Sequence, residues 1–276
     1  MPELPEVETM VRGLRSVMEG RRIVSVRVSD PFILDAIGRG RFERSLTGSC
    51  VRRVWRRGKW VVLELSIGQS TVIQPRMTGG FRVGMDKPPE HSRIHFRIDG
   101  PHKHVWFCDT RRLGRVALVD EATLAEKLSP DHHGPEATEI TAIELAAALA
   151  ATRRPIKAAL LDQRIVSGVG NIYADESLFD ARIHPERRSN ELTTAEVRRL
   201  CRSIRRIINL AIDMQGTTMR NYFNVFGEAG SFQDRHRAFG REGKPCKRCR
   251  TPIVRENIEG LIGRSTHFCR VCQPEK

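Results

Sequence analysis

Met1-Pro2-Glu3-Leu4-Pro5-Glu6-Val7-Glu8-Thr9 opens the chain and decides how the remainder is read. Pro5 suits the first position of a helix. Val7, Met10, Val11, Leu14, Val17 and Met18 then recur at helical spacing. Pro2 is a small residue of the kind that lets methionine aminopeptidase remove Met1, leaving a secondary amine at the mature N-terminus. An α-amino group titrates near ~8, so a useful fraction is neutral and nucleophilic at neutral pH. Attack of such an amine on an aldehyde-like carbon gives an iminium, which is covalent catalysis without a lysine. Glu3 and Glu6 put two carboxylates beside the amine, suited to proton transfer. The positive end of the helix disfavours the ammonium form and the two carboxylates favour it. Proline and glutamate at a helix start are equally ordinary capping chemistry.

Outward from this helix, residues 23 to about 118 read as strands. Residues 23–28 alternate. The β-rich runs 51–55 and 60–65 meet at Arg57-Gly58, and short runs come after them at 71–74, 80–83, 93–98, 104–108 and 115–119. Many short strands with turn signals between them predict a β-sandwich with the helix on or beside it. Residues 120–137 form a polar junction; its His132 and His133 have no partner at metal-ligand spacing and read as linker.

From 141 the period becomes helical. Thr141-Ala142-Ile143-Glu144 is a capping box. Arg153-Arg154-Pro155 starts a helix to about Leu161, and Gly168-Val169-Gly170-Asn171 turns into another. Two helices joined by a short glycine turn suit a helix-turn-helix variant, and glycines let backbone N–H groups approach a phosphate. Thr193-Thr194-Ala195-Glu196 caps a long helix with Val197, Leu200, Cys201, Ile204, Ile207, Ile208 and Ala211 as its buried stripe. Its arginines read as a solvated face. The stretch 215–236 is polar, glycine-spaced and reads as mobile.

The 276 residues suffice for two domains and a small appendage. A net charge of +14 predicts a polyanionic partner, most simply nucleic acid. Arg52, Arg53, Arg56, Arg57 and Lys59 concentrate that charge on one hairpin, as a solvated basic edge or as a phosphate track. No apolar run approaches the length of a membrane span, and no signal peptide is visible. Of seven cysteines, Cys50, Cys108 and Cys201 are isolated and read as buried free thiols. Cys246-Lys247-Arg248-Cys249, nineteen residues and then Cys269-Arg270-Val271-Cys272 have the spacing of a four-thiolate zinc ribbon. That usage suits a reducing cytoplasm better than a disulfide scaffold.

Pro2-Glu3 with Pro5-Glu6, Lys59, Met77, Arg111, the run 168–176, Gly216-Thr217-Thr218 and the cysteine finger stand in the order found in the formamidopyrimidine-DNA glycosylases, which this chain resembles along nearly its whole length. The resemblance implies an α+β multidomain fold: an N-terminal β-sandwich with a flanking helix (1–132), a helix–two-turn–helix domain (133–240) and a zinc finger (241–276). It implies a bacterial base-excision repair enzyme, a bifunctional glycosylase and AP lyase for oxidised purines. Its partner would be damaged double-stranded DNA, its only cofactor one structural zinc held by Cys246, Cys249, Cys269 and Cys272. Monomeric action, in the cytoplasm and on the nucleoid when bound, is also implied.

Carried over residue by residue, the resemblance makes Pro2 the nucleophile and Glu3 the acid, with Glu6 supporting. Lys59 would assist proton transfer and bind phosphate, and Arg264 at the finger tip would act in the last elimination. Met77, Arg111 and Leu113 would fill the gap left by a flipped base, with Arg111 facing the orphaned partner. Met77 taken alone could be core, but its turn-forming neighbours predict a surface loop. His91 and Asn171 would lie on the DNA backbone, though a lone histidine such as His91 fits a structural role equally well, and the stretch 215–236 would close over the flipped base. Three positions depart from the family. Leu113 replaces the usual phenylalanine, Gln74 a frequent histidine, and Phe239 a frequent tyrosine. Leu113 bears on wedging efficiency or base preference, whereas Gln74 and Phe239 imply normal chemistry with a weaker phosphate grip. Two rivals stand beside this reading: an endonuclease VIII-like enzyme for oxidised pyrimidines, and a non-catalytic zinc-containing DNA-binding protein. Leu4, where endonuclease VIII usually has glycine, disfavours the first; Pro2, Glu3 and Lys59 together disfavour the second.

Overall fold

Helix α1 forms over Leu4–Met18 and buries Leu4, Val7, Met10, Val11, Leu14, Val17 and Met18. Each such side chain contributes roughly 1.5–3 kcal/mol on burial. An isolated helix of about this length is marginal in water, so packing of the apolar stripe, more than propensity, makes the helix.

The computed structural model describes residues 2–219, 222–258, 260–261 and 263–275. Met1, whose removal is expected, and Arg220, in the stretch matched to the closing loop, lie outside the described residues. The chain forms two compact units, Met1–Ser129 with Met214–Ser231, and Pro130–Asp213 with Phe232–Lys276.

In the first unit, α1 is followed by β1 (Ile23–Val28), α2 (Arg39–Leu46), β2 (Val51–Arg57), β3 (Trp60–Leu65), β4 (Gln69–Gln74), β5 (Gly79–Val83), β6 (Ser92–Ile98), β7 (His104–Asp109), β8 (Arg115–Asp120) and α3 (Glu121–Lys127). The strands make two four-stranded antiparallel sheets, ordered β1-β6-β7-β5 and β2-β3-β4-β8. Phe81, Phe96 and Phe107 of one sheet share a core with Val54, Val61 and Leu63 of the other and with the stripe of α1. This is the expected sandwich with its flanking helix.

Two helices interrupt the region read as strands and junction. α2 buries only Phe42 and Leu46, too few apolar positions to show a period against β-rich neighbours. α3 buries nothing and is capped by Asp120, whose carboxylate accepts the Thr123 N–H at 2.8 Å. The hairpin turn also moves by one residue: β2 runs through Arg57, and Gly58-Lys59 makes the turn, with Gly58 at φ 53°. Cys201 is buried as expected, whereas Cys50 and Cys108 are only half-buried; all three are free thiols.

The second unit carries α4 (Ala142–Ala150), α5 (Ile156–Leu161), α6 (Asn171–Ala181) and α7 (Thr194–Asp213), then a small hairpin of β9 (Val254–Asn257) and β10 (Ser265–Phe268). The reciprocal caps are present: the Thr141 and Thr193 N–H groups donate at 2.8 Å to Glu144 and Glu196. The predicted stripe of α7 is buried throughout. His133, read as linker, is instead buried within the second unit, 3.3 Å from the Ser167 hydroxyl, and so has a packing role.

Candidate active site and metal centre

The start of α1 is closed from two directions. Glu3 and Glu6 are 1% and 2% exposed, and Pro2 is buried beside them. One Glu6 oxygen accepts the Glu3 N–H at 2.8 Å, satisfying a donor that the helix leaves unpaired. The other accepts the Thr217 N–H at 2.7 Å. The Tyr222 hydroxyl adds a bond to the Glu6 carbonyl at 3.3 Å, and burial, then the nearby Glu6 charge, push its phenol well above the usual range. A Cβ on Gly13 would lie 2.3 Å from Val225, so that glycine is the slot into which Val225 packs. Val225 also accepts the Val83 N–H at 3.0 Å. The stretch read as mobile is therefore anchored at several points to α1 and β5.

Strand direction brings the turn that carries Lys59 toward this region. Near the C-terminal end of α1, Glu19 accepts the Val54 N–H at 2.6 Å and Arg15 donates to the Val54 carbonyl at 3.1 Å. Nearer its N-terminal end, Glu8 pairs with Arg56 at 2.7 Å. β2 thus runs antiparallel to α1, and its turn at Gly58-Lys59 comes to the end where Pro2 and Glu3 lie. Burial would raise the Glu8 carboxyl, but Arg56 and Arg12 beside it more than offset this and hold it below the usual carboxylate value.

Met77 is exposed in the turn between β4 and β5, and Arg111 is exposed and Leu113 half-buried in the turn between β7 and β8. Gln74 accepts from the Arg76 guanidinium at 3.0 Å. Asp109, fully buried, lies at the centre of the two turns. Its carboxylate takes the Thr78 hydroxyl, the Arg111 N–H at 3.2 Å and the Gly114 N–H at 2.7 Å. His91, at φ 59°, accepts the Asp109 N–H on its carbonyl, and its ring pairs with Glu90 at 3.1 Å.

In the second unit, Asn171 sits at the N-terminus of α6 and donates to the Ser265 carbonyl at 3.2 Å. Arg264, the neighbour of Ser265, is exposed on a cavity of about 630 Å³ that Arg154, Arg164 and His132 also line. Lys157, with no exposed surface, bonds Asp175 at 2.7 Å and the Ser265 carbonyl at 2.9 Å. Asp175 in turn accepts the His267 N–H at 2.9 Å. A buried ion pair therefore fixes the strand that begins next to Arg264.

The four ribbon cysteines come together. Their Sγ atoms all lie within 4.8 Å of one another, with Cys246–Cys272 at 3.8 Å and Cys249–Cys269 at 3.4 Å. Tetrahedral thiolates at Zn–S bonds of ~2.3 Å stand about 3.8 Å apart, so the donor set fits a closed structural zinc site. The Arg248 guanidinium ties the first knuckle to α6, donating to the Phe179 carbonyl at 2.6 Å.

Three family models match the chain: the formamidopyrimidine-DNA glycosylase N-terminal domain over residues 1–116, the formamidopyrimidine-DNA glycosylase H2TH domain over 119–222, and the zinc finger found in FPG and IleRS over 243–274. A formamidopyrimidine-DNA glycosylase of Desulfitobacterium hafniense is 39% identical over 277 residues, covering 99% of this chain and 100% of that relative. The chain belongs to the formamidopyrimidine-DNA glycosylase family. Among solved structures of this family, the MutM (Fpg) protein from Thermus thermophilus has 37% identity and a TM-score of 0.88, covering 100% of both chains. Wild-type Lactococcus lactis Fpg in complex with an N7-benzyl-Fapy-dG containing DNA has 31% identity and a TM-score of 0.91, covering 99% of this chain and 100% of that one. As a formamidopyrimidine-DNA glycosylase family member with four clustered thiols and a matching finger, the chain carries one structural zinc.

Sequence reading missed the residues that position this family site: Glu8, Asp109, Thr217 as partner of Glu6, and the Lys157–Asp175 pair. Thr217 and Asp175 fall in runs that carry the resemblance, and Asp109 is an aspartate at a strand end before Arg111-Arg112-Leu113-Gly114, but no local pattern names the partner of any of them.

Proposed function

We propose that the protein is a base-excision repair enzyme, a DNA glycosylase and AP lyase that removes oxidised purines such as 8-oxoguanine and formamidopyrimidines from duplex DNA. The observation that carries this is Pro2-Glu3, buried at a doubly closed helix start, in a chain matched over its full length by formamidopyrimidine-DNA glycosylases. The basic surface draws the protein to DNA, and the damaged base leaves the stack. Met77, Arg111 and Leu113 fill the gap, with Arg111 against the orphaned base. His91 and Asn171 hold backbone phosphates.

The Pro2 nitrogen attacks C1′, the bond to the base breaks, and the base leaves with the electron pair. Glu3 protonates the sugar ring oxygen, and the ring opens to an iminium. The iminium acidifies the neighbouring C–H, so loss of that proton expels the 3′ phosphate, and a second elimination expels the 5′ phosphate. Lys59 assists proton transfer and holds phosphate; Arg264 acts in the last elimination. Water then releases Pro2. Glu6 already accepts two backbone N–H groups, which supports positioning more directly than its supporting acid–base role. Zinc, held by Cys246, Cys249, Cys269 and Cys272, supplies folding energy to the finger and no chemistry.

In this reading residues 1–132 form the catalytic domain, 133–240 the helix–two-turn–helix domain and 241–276 the finger. The enzyme acts as a monomer in the bacterial cytoplasm, on the nucleoid when bound. No helix among the described residues is long and apolar enough to cross a membrane.

Borohydride trapping on a duplex with 8-oxoguanine opposite cytosine tests this against Pro2→Gly and an N-terminally blocked form. Pro2-dependent adducts with strand cleavage are expected. Trapping only on an oxidised pyrimidine would move the protein to the endonuclease VIII-like reading. Binding with no adduct on any lesion would leave a DNA-binding protein alone.

A further inference from the structure

We propose that Asp109 and Thr78 form a positioning bridge that fixes the Met77 turn against the Arg111–Leu113 turn, so that the three gap-filling side chains enter DNA as one unit. This rests on the gap-filling reading above. The bridge is closed. The Thr78 hydroxyl donates to Asp109 Oδ1 and accepts the Arg111 N–H at 3.1 Å, while that N–H is also 3.2 Å from the same carboxylate oxygen. Asp109 Oδ2 takes the Gly114 N–H at 2.7 Å, which spans Leu113 from the far side.

The surroundings leave little freedom. A Cβ on Gly114 would lie 3.0 Å from Phe107 and 3.1 Å from Asp109 Oδ2, and one on Gly79 would lie 2.4 Å from the Pro75 carbonyl oxygen. Asp109 is also anchored through its own backbone, donating to the His91 carbonyl at 3.0 Å and accepting from Arg93 at 2.9 Å. Charge-assisted bonds to a buried carboxylate are strong and directional. Preorganisation of a constellation carried on two loops therefore depends on the one acceptor common to both. Both polar groups are engaged within the two turns, so the bridge acts through Met77, Arg111 and Leu113.

The test compares the wild type with Thr78→Val, Thr78→Ser, Asp109→Asn and Met77→Ala. Two substrates are used: duplex 8-oxoguanine opposite cytosine or adenine, and a single-stranded abasic oligonucleotide, which has no gap to fill. Thr78→Val and Asp109→Asn are expected to lower kcat/KM on the duplex about tenfold and to flatten the opposite-base preference, since each loses bonds to a charged group. Thr78→Ser, which keeps the hydroxyl, is expected to restore both. Borohydride trapping on the single strand should be unchanged in the Thr78 and Asp109 variants. If Met77→Ala loses duplex activity while Thr78→Val keeps rate and preference, the bridge does not position. Equal losses on duplex and single strand would mean that it only supports the fold. If Met77→Ala changes nothing, the gap-filling reading itself fails and this inference falls with it.

Discussion

Glu6 and Thr217, 211 positions apart, are joined by a hydrogen bond of 2.7 Å from the Thr217 N–H to the Glu6 carboxylate. The other Glu6 oxygen accepts the Glu3 N–H at 2.8 Å. One side chain therefore caps the helix that presents Pro2 and fastens a late segment of the chain over it.

Glu6→Gln keeps the shape but has only one acceptor oxygen, so one of the two N–H groups loses its partner. An unsatisfied buried donor costs about 1–3 kcal/mol. The urea midpoint is expected to fall at an unchanged slope, and iminium trapping to slow with it.

Gly216→Ala strikes the same junction. Gly216 has φ +80°, and a Cβ there would lie 2.7 Å from Glu6 Oε1 and 2.9 Å from Glu6 Cγ. Left-handed strain alone costs roughly 1 kcal/mol, and the overlap adds to it. Single-turnover excision should drop while zinc content, measured on the same sample, stays at one per chain.

Metal removal should act on the finger selectively. A chelator is expected to release one zinc, with the signal of four freed thiols, and to abolish tight DNA binding, because the thiolate site supplies much of such a module's folding energy. Cys249→Ser should mimic the treated protein in a salt-dependent binding assay.

Acid should destabilise the protein in two steps. Burial first, then His104, Arg27 and Arg97, pull His95 down to about 4; burial chiefly pulls His236 to about 4 as well. An unfolded imidazole titrates near ~6.5. Between those values the unfolded chain binds more protons than the folded one, so stability is full above the window and falls as pH drops through it. Glu8, held below the usual carboxylate value, contributes the reverse-charge case, lost only below about pH 4.3. Thermal unfolding followed against pH should show the first decline weakened in His95→Gln and the second in Glu8→Gln.

Phe239→Tyr tests the departures from the family pattern. Phe239 is half-buried, its N–H donates to Glu176 at 2.8 Å, and its ring meets His236 and His267 edge-on. The backbone is already fixed, so adding the hydroxyl supplies a donor without rearrangement. Affinity for lesion DNA at matched salt should rise; an unchanged value would separate the departure from binding.

What the sequence disclosed depends on the range of each interaction. The cap at Glu3–Glu6, the Thr141 and Thr193 boxes, the stripe of α7 and the C-x-x-C pairs act within a few residues or carry a fixed spacing, and each was legible. Glu8–Arg56 and Thr78–Asp109 were not, because partners 48 and 31 positions apart leave no periodic trace. Lys157 and Asp175, 18 positions apart, likewise leave no periodic trace, and only tertiary packing makes them a buried pair. α2 failed for a different reason: its two buried side chains make a face too small to register as a period.

The slot at Gly13 that takes Val225 ties the order of synthesis to the order of folding. A ribosome delivers α1 and all eight strands of the sandwich long before it delivers residue 225. Until then the slot at Gly13 lacks Val225, and Glu6 lacks the Thr217 N–H. The nascent N-terminal half is thus held short of its final packing, and the nucleophile is enclosed only after the whole helical segment between has been made.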